Sequence, residues 1–454
     1  MKKLYLIAIA FVTVVSAIFA SPAAYSQARP DSDTFNIPID TACSRIFSIN
    51  TCPGEDCSTQ MNVSFAADKN ISECYVYLVS SRKRRSAGGY RLIPSELTLC
   101  TVYDSIYSKK ANGENFYEDA VFHKFSCSFT NLKPDTRYDY WIVAAYKDSY
   151  QVQRYVSSKT HTFTTAGRKE WNACIISDYH SYPPLPKRLS SAMKMVETVN
   201  AFSVSKGHKG IDWVLHLGDV CAWGGSWSFW KDMYSQEAFR KYMWAGLNGN
   251  HDNMSRKYQL TNQYFKNATA NPLNGYDGEE GVCYHFTYGN TLFVMLNSES
   301  MRDSTGLAKA RQWVRKVLKE SNAKFKVVCE HYQWFFGENG KSSQYRRWKD
   351  LFDECGVDLA LGANNHIYVR SQKLYNDRIA ENGPGTVYLQ TPSSDNERGV
   401  EMKEFTDNRE ILAKRWTEGG RTIGALLMEA DKHSLVLTLL DREGKVVDSV
   451  VISK

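Results

Sequence analysis

The sequence predicts two architectures in tandem: an all-β sandwich over residues 40–166, then an α/β domain over 171–454 built as a layered β-sandwich flanked by helices. Three observations carry this. Residues 40–165 read as short alternating runs separated by turn residues, with no long helical pattern. After Gly167-Arg168-Lys169 the pattern changes to apolar strands alternating with segments at helical spacing. The strands of this second region end, one after another, in residues able to bind metals.

The opening of the chain belongs to neither architecture. Lys2 and Lys3 precede an apolar run over 4–20 broken only by Thr13 and Ser16, and Ser26-Gln27-Ala28 supplies a small-x-small site before Arg29. Residues 1–28 are therefore expected to be a cleaved signal peptide, since the run falls short of the roughly 20 residues a membrane span needs. No cysteine near the cleavage region offers a lipid anchor, and no later run approaches spanning length. The expectation is an exported bacterial protein, periplasmic or secreted, with no transmembrane segment in the mature chain.

A net charge of +7 is modest and dispersed. It suits anionic substrates and gives no reason to expect nucleic-acid-specific binding. The densest basic run, Arg82-Lys83-Arg84-Arg85, precedes Gly88-Gly89 and reads as a solvated hairpin loop. Cys43, Cys52, Cys57, Cys74, Cys100 and Cys127 fall in the first region, and in an exported domain that set predicts disulfides without fixing their pairing. Cys174, Cys221, Cys283, Cys329 and Cys355 are odd in number, and several lie in apolar strands, as buried thiols do.

Within the first region, residues 61–65 and 74–79 alternate as half-buried strands. Residues 132–141 are more specific: Leu132, a turn at Pro134-Asp135, then Tyr138-Asp139-Tyr140 entering a strand. That order resembles the tyrosine corner of immunoglobulin-like and fibronectin type III domains, and 161–165 resembles the last strand of the latter. In the second region, strands are predicted at 173–177, 213–217, 325–329 and 357–361, and helices at 307–320 and 345–355. Leu189, Met193, Val196 and Val199 mark a further helix, and Gly289-Asn290 joins a hairpin of 284–286 with 291–296.

Ligands of open α/β sheets gather at the carboxyl ends of the strands. Here those ends read Asp178-Tyr179-His180, Gly218-Asp219, Gly249-Asn250-His251-Asp252, Glu330-His331, and Gly362-Ala363-Asn364-Asn365-His366. One such block is an ordinary cap or turn. Five in order, all at strand ends, point to a metal centre of carboxylate, imidazole and amide donors. Such donors suit iron, manganese or zinc, with magnesium admissible. No cysteine stands at a ligand position, which excludes a structural thiolate zinc site there.

This order of blocks resembles the calcineurin-like metallophosphoesterases, and the β-region upstream, with Gly385-Thr386-Val387-Tyr388-Leu389 downstream, is most similar to the purple acid phosphatase branch. The resemblance implies two adjacent divalent or trivalent metal ions: Asp178, His180 and His366 on the first, Asn250 and His331 on the second, and Asp219 bridging both. It implies hydrolysis of a small or polymeric phosphate ester by in-line attack of a metal-bridging hydroxide. His251 would protonate the leaving oxygen and Asp252 would orient its imidazole.

Two positions depart from the branch. Ala222 stands where purple acid phosphatases carry the tyrosine that colours them, and His180 stands where they have glycine, so no purple chromophore is expected. Asn364 replaces the first histidine of the family's Gly-His-x-His block. It either coordinates as a harder, weaker ligand, or leaves the second metal to bind with substrate, or leaves the site mononuclear and inactive. Trp223, Trp227, Phe229, Trp230, Tyr332, Trp334 and Phe335 follow metal-block residues closely; they either rim the site or pack its loops. Arg370 and Arg398 are further candidates for phosphate. The principal reading is a metal-dependent phosphatase or phosphodiesterase; the alternative is a degenerate relative acting as a phosphate- or glycan-binding module.

Overall fold

The computed structural model describes residues 45–80, 88–92, 95–102, 117–167, 170–182, 185–253, 263–336, 340–395, 409–419 and 422–454. The leader at 1–28, Cys43, the run at 82–85 and Arg398 lie outside them, as does the side chain of Cys100.

Two large sheets face each other. The first has ten strands in the order Val446–Ser453, Ser434–Asp441, Gly424–Ala430, Trp171–Ile176, Trp213–His216, Met243–Gly246, Ile46–Pro53, Met61–Asp68, Tyr117–Phe129, Ser95–Val102. The second has eight, centred on Thr291–Met295, Phe325–Cys329, Leu359–Gly362 and Thr386–Gln390, which pair in parallel. In the first sheet Trp171–Ile176, Trp213–His216 and Met243–Gly246 are likewise parallel, so their carboxyl ends share one edge. The inner faces interlock through aromatic rings: Trp213 meets Phe293 at 5.0 Å between centroids and Phe286 at 5.7 Å, edge to face.

Helices cover the outer faces. Lys187–Ser205 and Trp227–Ser235 bury Leu189, Val196, Val199 and Trp230 against the first sheet's cluster. Ser304–Glu320 and Ser343–Cys355 cover the second. Both latter helices begin before the first apolar residue that marks them, because a cap sets the start: Asp303 accepts the Gly306 N–H and Ser342 the Tyr345 N–H. Gly356, at φ 65°, ends the second in the left-handed conformation that stops a helix. The layered sandwich expected of 171–454 is therefore the fold observed.

The N-terminal region is all-β but is not set apart. Ile46–Pro53 pairs in parallel with Met243–Gly246, Thr51 opposite Met243, so its first strands extend the ten-stranded sheet. Ile71–Ser80 and Arg137–Lys147 lead a separate five-stranded sheet. Side chains of all three sheets, among them Phe65, Phe129, Tyr140, Trp213 and Phe293, enter one apolar cluster. Alternation in sequence shows that a strand has a buried face. It does not show which free edge the strand will cover, and an uncovered Met243–Gly246 edge would expose unpaired backbone groups.

The turn before Arg137–Lys147 has the anticipated corner. The hydroxyl of buried Tyr138 accepts the Lys133 N–H at 2.9 Å, tying the strand entry back to the preceding loop. Disulfides expected of the first region are not formed at Cys52, Cys57 or Cys127, which are buried thiols. Cys52 donates to Asn50 Oδ1 at 2.9 Å, and burial pushes its thiol up to about 11. Cys52 and Cys127 fill strand interiors and Cys57 a turn, all as small apolar groups, a role that spacing does not distinguish from a crosslink. We expect Tyr138→Phe to leave the fold intact and to cost about 1 kcal/mol of stability, read as a lower denaturation midpoint at unchanged slope.

Candidate metal centre

The carboxyl ends of the parallel strands meet where the two sheets open. Asp178, His180, Asp219, Asn364 and His366 all sit at positive φ, between 43° and 70°. Such conformations are costly for residues with a side chain and persist where the surroundings enforce them, most often at functional sites. Gly218, at φ 90°, lets its strand end pass close beneath the loop carrying Asn250: a Cβ there would lie 2.6 Å from the Gly249 nitrogen and 2.7 Å from His331 Nδ1.

Asp219 is the hub. Its Oδ2 lies 3.3 Å from His180 Nε2, 3.3 Å from His331 Nε2 and 4.0 Å from His251 Nε2. Its Oδ1 accepts the His251 backbone N–H at 2.8 Å. Asp178 Oδ1 stands 3.5 Å from His366 Nε2 and 3.9 Å from His331 Nε2. Three overlapping sets result, each with donor atoms within 4.8 Å of one another: Asp178, His180 and His366; His180, Asp219 and His251; Asp178, Asp219 and His331.

The histidine tautomers are fixed from outside the cluster. Nδ1 of His180 lies 2.9 Å from the Asp178 carbonyl, that of His331 2.7 Å from Leu217, and that of His251 2.9 Å from Ala222. A carbonyl only accepts, so each Nδ1 carries a hydrogen and each Nε2 faces inward. Buried Asp178 Oδ1 and Asn250 Oδ1 have no hydrogen-bond partner among the described residues. Inward-facing Nε2 atoms and orphaned buried oxygens in one place fit divalent metal ions. Asp178, His180, Asp219, His251, His331 and His366, which the structure brings together here, are among the residues the sequence singled out.

Asn364 is anchored through its two nitrogens. Its Nδ2 donates to Gln333 Oε1 at 2.6 Å, and its backbone N–H to Asp178 Oδ2 at 3.2 Å. Asp252 differs from expectation. Rather than orienting the His251 ring, its buried carboxylate accepts the N–H groups of Val220, Cys221 and Gly249 at 3.2, 2.9 and 2.8 Å, locking the Asp219 loop to the Asn250 loop. The Ala222 carbonyl takes over the orienting of His251. The aromatic rim resolves towards packing: Trp223, Trp227, Phe229, Trp230, Trp334 and Phe335 are buried, and of the seven only Tyr332 remains half-exposed. Arg370 is committed to Asp448 through two contacts at 2.7 and 3.1 Å.

Sequence reasoning missed the outer wall. Ser393 Oγ donates to the Asp178 carbonyl at 2.7 Å, and buried Asp395 lies 4.0 Å from His180 Nδ1 and 3.6 Å from Arg188 Nε. These residues follow the strand Thr386–Gln390, whose end carries no histidine or glycine block that would draw notice.

Against this geometry the comparisons fall into place. Residues 173–368 match the family model described as calcineurin-like phosphoesterase. Among curated relatives, purple acid phosphatase 15 of Arabidopsis thaliana is 22% identical over 188 residues, 40% of this chain and 34% of that protein. An uncharacterized protein of Mycobacterium tuberculosis is 26% identical over 277 residues, 54% of this chain and 50% of that one. The chain thus spans half or less of the length of these two relatives. In fold, a purple acid phosphatase from yellow lupin seeds (Lupinus luteus) superposes with a TM-score of 0.70 at 16% identity, covering 90% of this chain and 74% of that one. The structure of PhoD gives 0.55 at 12% identity, covering 90% and 89%. The fold of residues 171–454 is that of the metallophosphatases.

Two outcomes follow for metal loading. Burial opposes a charge on His331, but Asp219 and Asp178 outweigh it and push the imidazole up to about 10. A bound metal must displace that proton, so affinity is expected to rise with pH across the neutral range, by about tenfold per unit for one displaced proton, in titrations with a competing chelator. A Cβ at Gly249 would overlap the Asp219 carboxylate, so Gly249→Ala should fold yet lose metal, measured by elemental analysis after gel filtration.

Proposed function

We propose that this chain is an exported, metal-dependent hydrolase of phosphate esters. The observation that carries the reading is the convergence of Asp178, His180, Asp219, His331 and His366 around one carboxylate, at the mouth formed by parallel strand ends. Asp178, His180 and His366 would hold a first metal, His331 and Asn250 a second, with Asp219 between them. When bound, two such ions supply an activated water and neutralise charge on the phosphoryl oxygens. Asn364, its amide Nδ2 bonded to Gln333, stands at the wall of the site.

His251 is the group placed to move a proton. Its Nδ1–H is held by the Ala222 carbonyl, its Nε2 faces the centre, and its ring is partly open to solvent. It stands edge-on to His180, with 4.9 Å between ring centroids. An imidazolium there can give its Nε2 proton to the departing oxygen, which matters most when that oxygen is strongly basic. Asp252 keeps the two loops in register and so keeps His251 over the site. Ala222 brings no tyrosinate, and no purple chromophore forms with iron.

Two features bear on where the protein works. The basic start, apolar run and small-x-small site of residues 1–28 support export. The Tyr138 bond to Lys133 supports kinship of the N-terminal β-region with fibronectin type III domains, although here it shares a sheet with the catalytic region. Among the described residues no helix is long and apolar enough to cross a membrane.

The test is turnover of an alkyl phosphate, an aryl phosphate and an aryl diester by metal-stripped protein resupplied with manganese, zinc, iron or magnesium. Asp219→Ala should abolish metal-dependent turnover. His251→Asn should lower kcat by about 10²–10⁴-fold on the alkyl ester and far less on 4-nitrophenyl phosphate, whose leaving oxygen needs no proton. Folded, metal-loaded protein without turnover on any ester would refute the hydrolase and leave a phosphate-binding module.

A further inference from the structure

Beside the metal cluster lies a cleft of about 390 Å³ that the chemistry above does not use. Asn364 and Gln333 form its inner side, and Tyr332, Phe336, Arg302 and Arg347 are among the residues that line the rest. Asn364 belongs to both places, since its backbone N–H bonds Asp178 while its side chain faces Gln333. Asn364 therefore joins the metal cluster to the cleft.

The two arginines differ. Arg302 is paired with Glu299, which also accepts the Tyr332 hydroxyl at 2.6 Å, so its charge is spent locally. Arg347, on the helix Ser343–Cys355, is half-buried; its charge acts on the buried Glu330 carboxylate, but no ion pair among the described residues holds it. Its backbone carbonyl is bonded by Arg311, which fixes the turn of helix from which its side chain departs. A guanidinium held in no ion pair at a concave site favours a planar anion through paired N–H contacts. Phe336, exposed at the cleft, and Tyr332 offer ring faces to a flat apolar segment between that anion and the ester.

We infer that this cleft binds the leaving group, and that it selects phosphoesters whose leaving group carries a second anionic function beyond a flat or apolar spacer, with Arg347 as the specificity-determining residue. The inference rests on the hydrolase reading for its kinetics, but binding in the cleft stands apart from turnover. Asn364 then has a reason to be smaller than histidine: the shorter amide, drawn to Gln333, leaves a passage from the metal cluster to the cleft.

The experiment compares phenyl phosphate with its meta- and para-carboxy analogues, whose phenols differ little in acidity. Wild-type protein should favour at least one carboxylated ester through a lower KM. Arg347→Gln should raise KM for that ester by about tenfold and leave kcat, and both constants for phenyl phosphate, unchanged; Arg347→Lys should restore part of the preference. Equal KM values for all three esters in active wild-type enzyme, or an equal loss on all of them in Arg347→Gln, would overturn the inference while leaving the hydrolase standing. In parallel, calorimetry on metal-loaded protein compares phenylphosphonate with the carboxyphenylphosphonates, which cannot be hydrolysed. Tighter binding of a carboxylated ligand, lost in Arg347→Gln, upholds the cleft even if no ester turns over; equal binding rejects it.

Discussion

Asp219 is a carboxylate almost wholly removed from water, surrounded by imidazoles and held by a backbone N–H. Burial alone would drive it neutral; the neighbouring His331 and His180 reverse that and hold it well below the usual carboxylate range. An isolated buried charge is prohibitively costly, so the arrangement persists only because positive charge shares the site, here that of the neighbouring imidazoles. Much of the surrounding architecture maintains that condition. Asp219 sits at positive φ after a glycine that permits close approach of two loops, and Asp252 ties those loops together through three backbone N–H groups.

The sheets supply the convergence. Parallel pairing sends the ends of Trp171–Ile176, Trp213–His216 and Met243–Gly246 to one edge of the first sheet, and Phe325–Cys329 and Leu359–Gly362 to the matching edge of the second. The aromatic interior between the sheets sets their separation, so that Asp178 and Asp219 from one meet His331 and His366 from the other. The N-terminal strands belong to the same device. By pairing with Met243–Gly246 they cover an edge that would otherwise be open next to the Asn250 loop, which makes the first region part of the scaffold of the site.

Polarity around the cluster follows a simple division. Backbone carbonyls of Asp178, Leu217 and Ala222 select the histidine tautomers, and carbonyls need no particular residue type. Side chains are kept for contacts that need charge or length, as where Arg188 meets Asp395 behind His180. This explains why so little of the outer shell shows in a motif, and why a change such as Asn364 for histidine can alter the wall of the site while the hub is retained.

What the sequence determined by itself is local and chemical. Period-two and period-3.6 patterns placed the central strands and the main helices, because side-chain direction repeats with the backbone. The blocks ending in Asp178, Asp219, His251, His331 and His366 were legible because ligands must be particular residue types, and strand ends must carry them. The Tyr138 corner was legible for the same reason. Tertiary structure alone decided partners: which free edge Ile46–Pro53 covers, that Asp252 bonds amides while Ala222 orients His251, that the tryptophans pack inward, that Cys52, Cys57 and Cys127 stay reduced, and that Arg347 faces a cleft beside Asn364. Those outcomes depend on contacts between residues far apart in the chain, competing for the same space and the same hydrogen bonds, and no spacing along one strand encodes the winner.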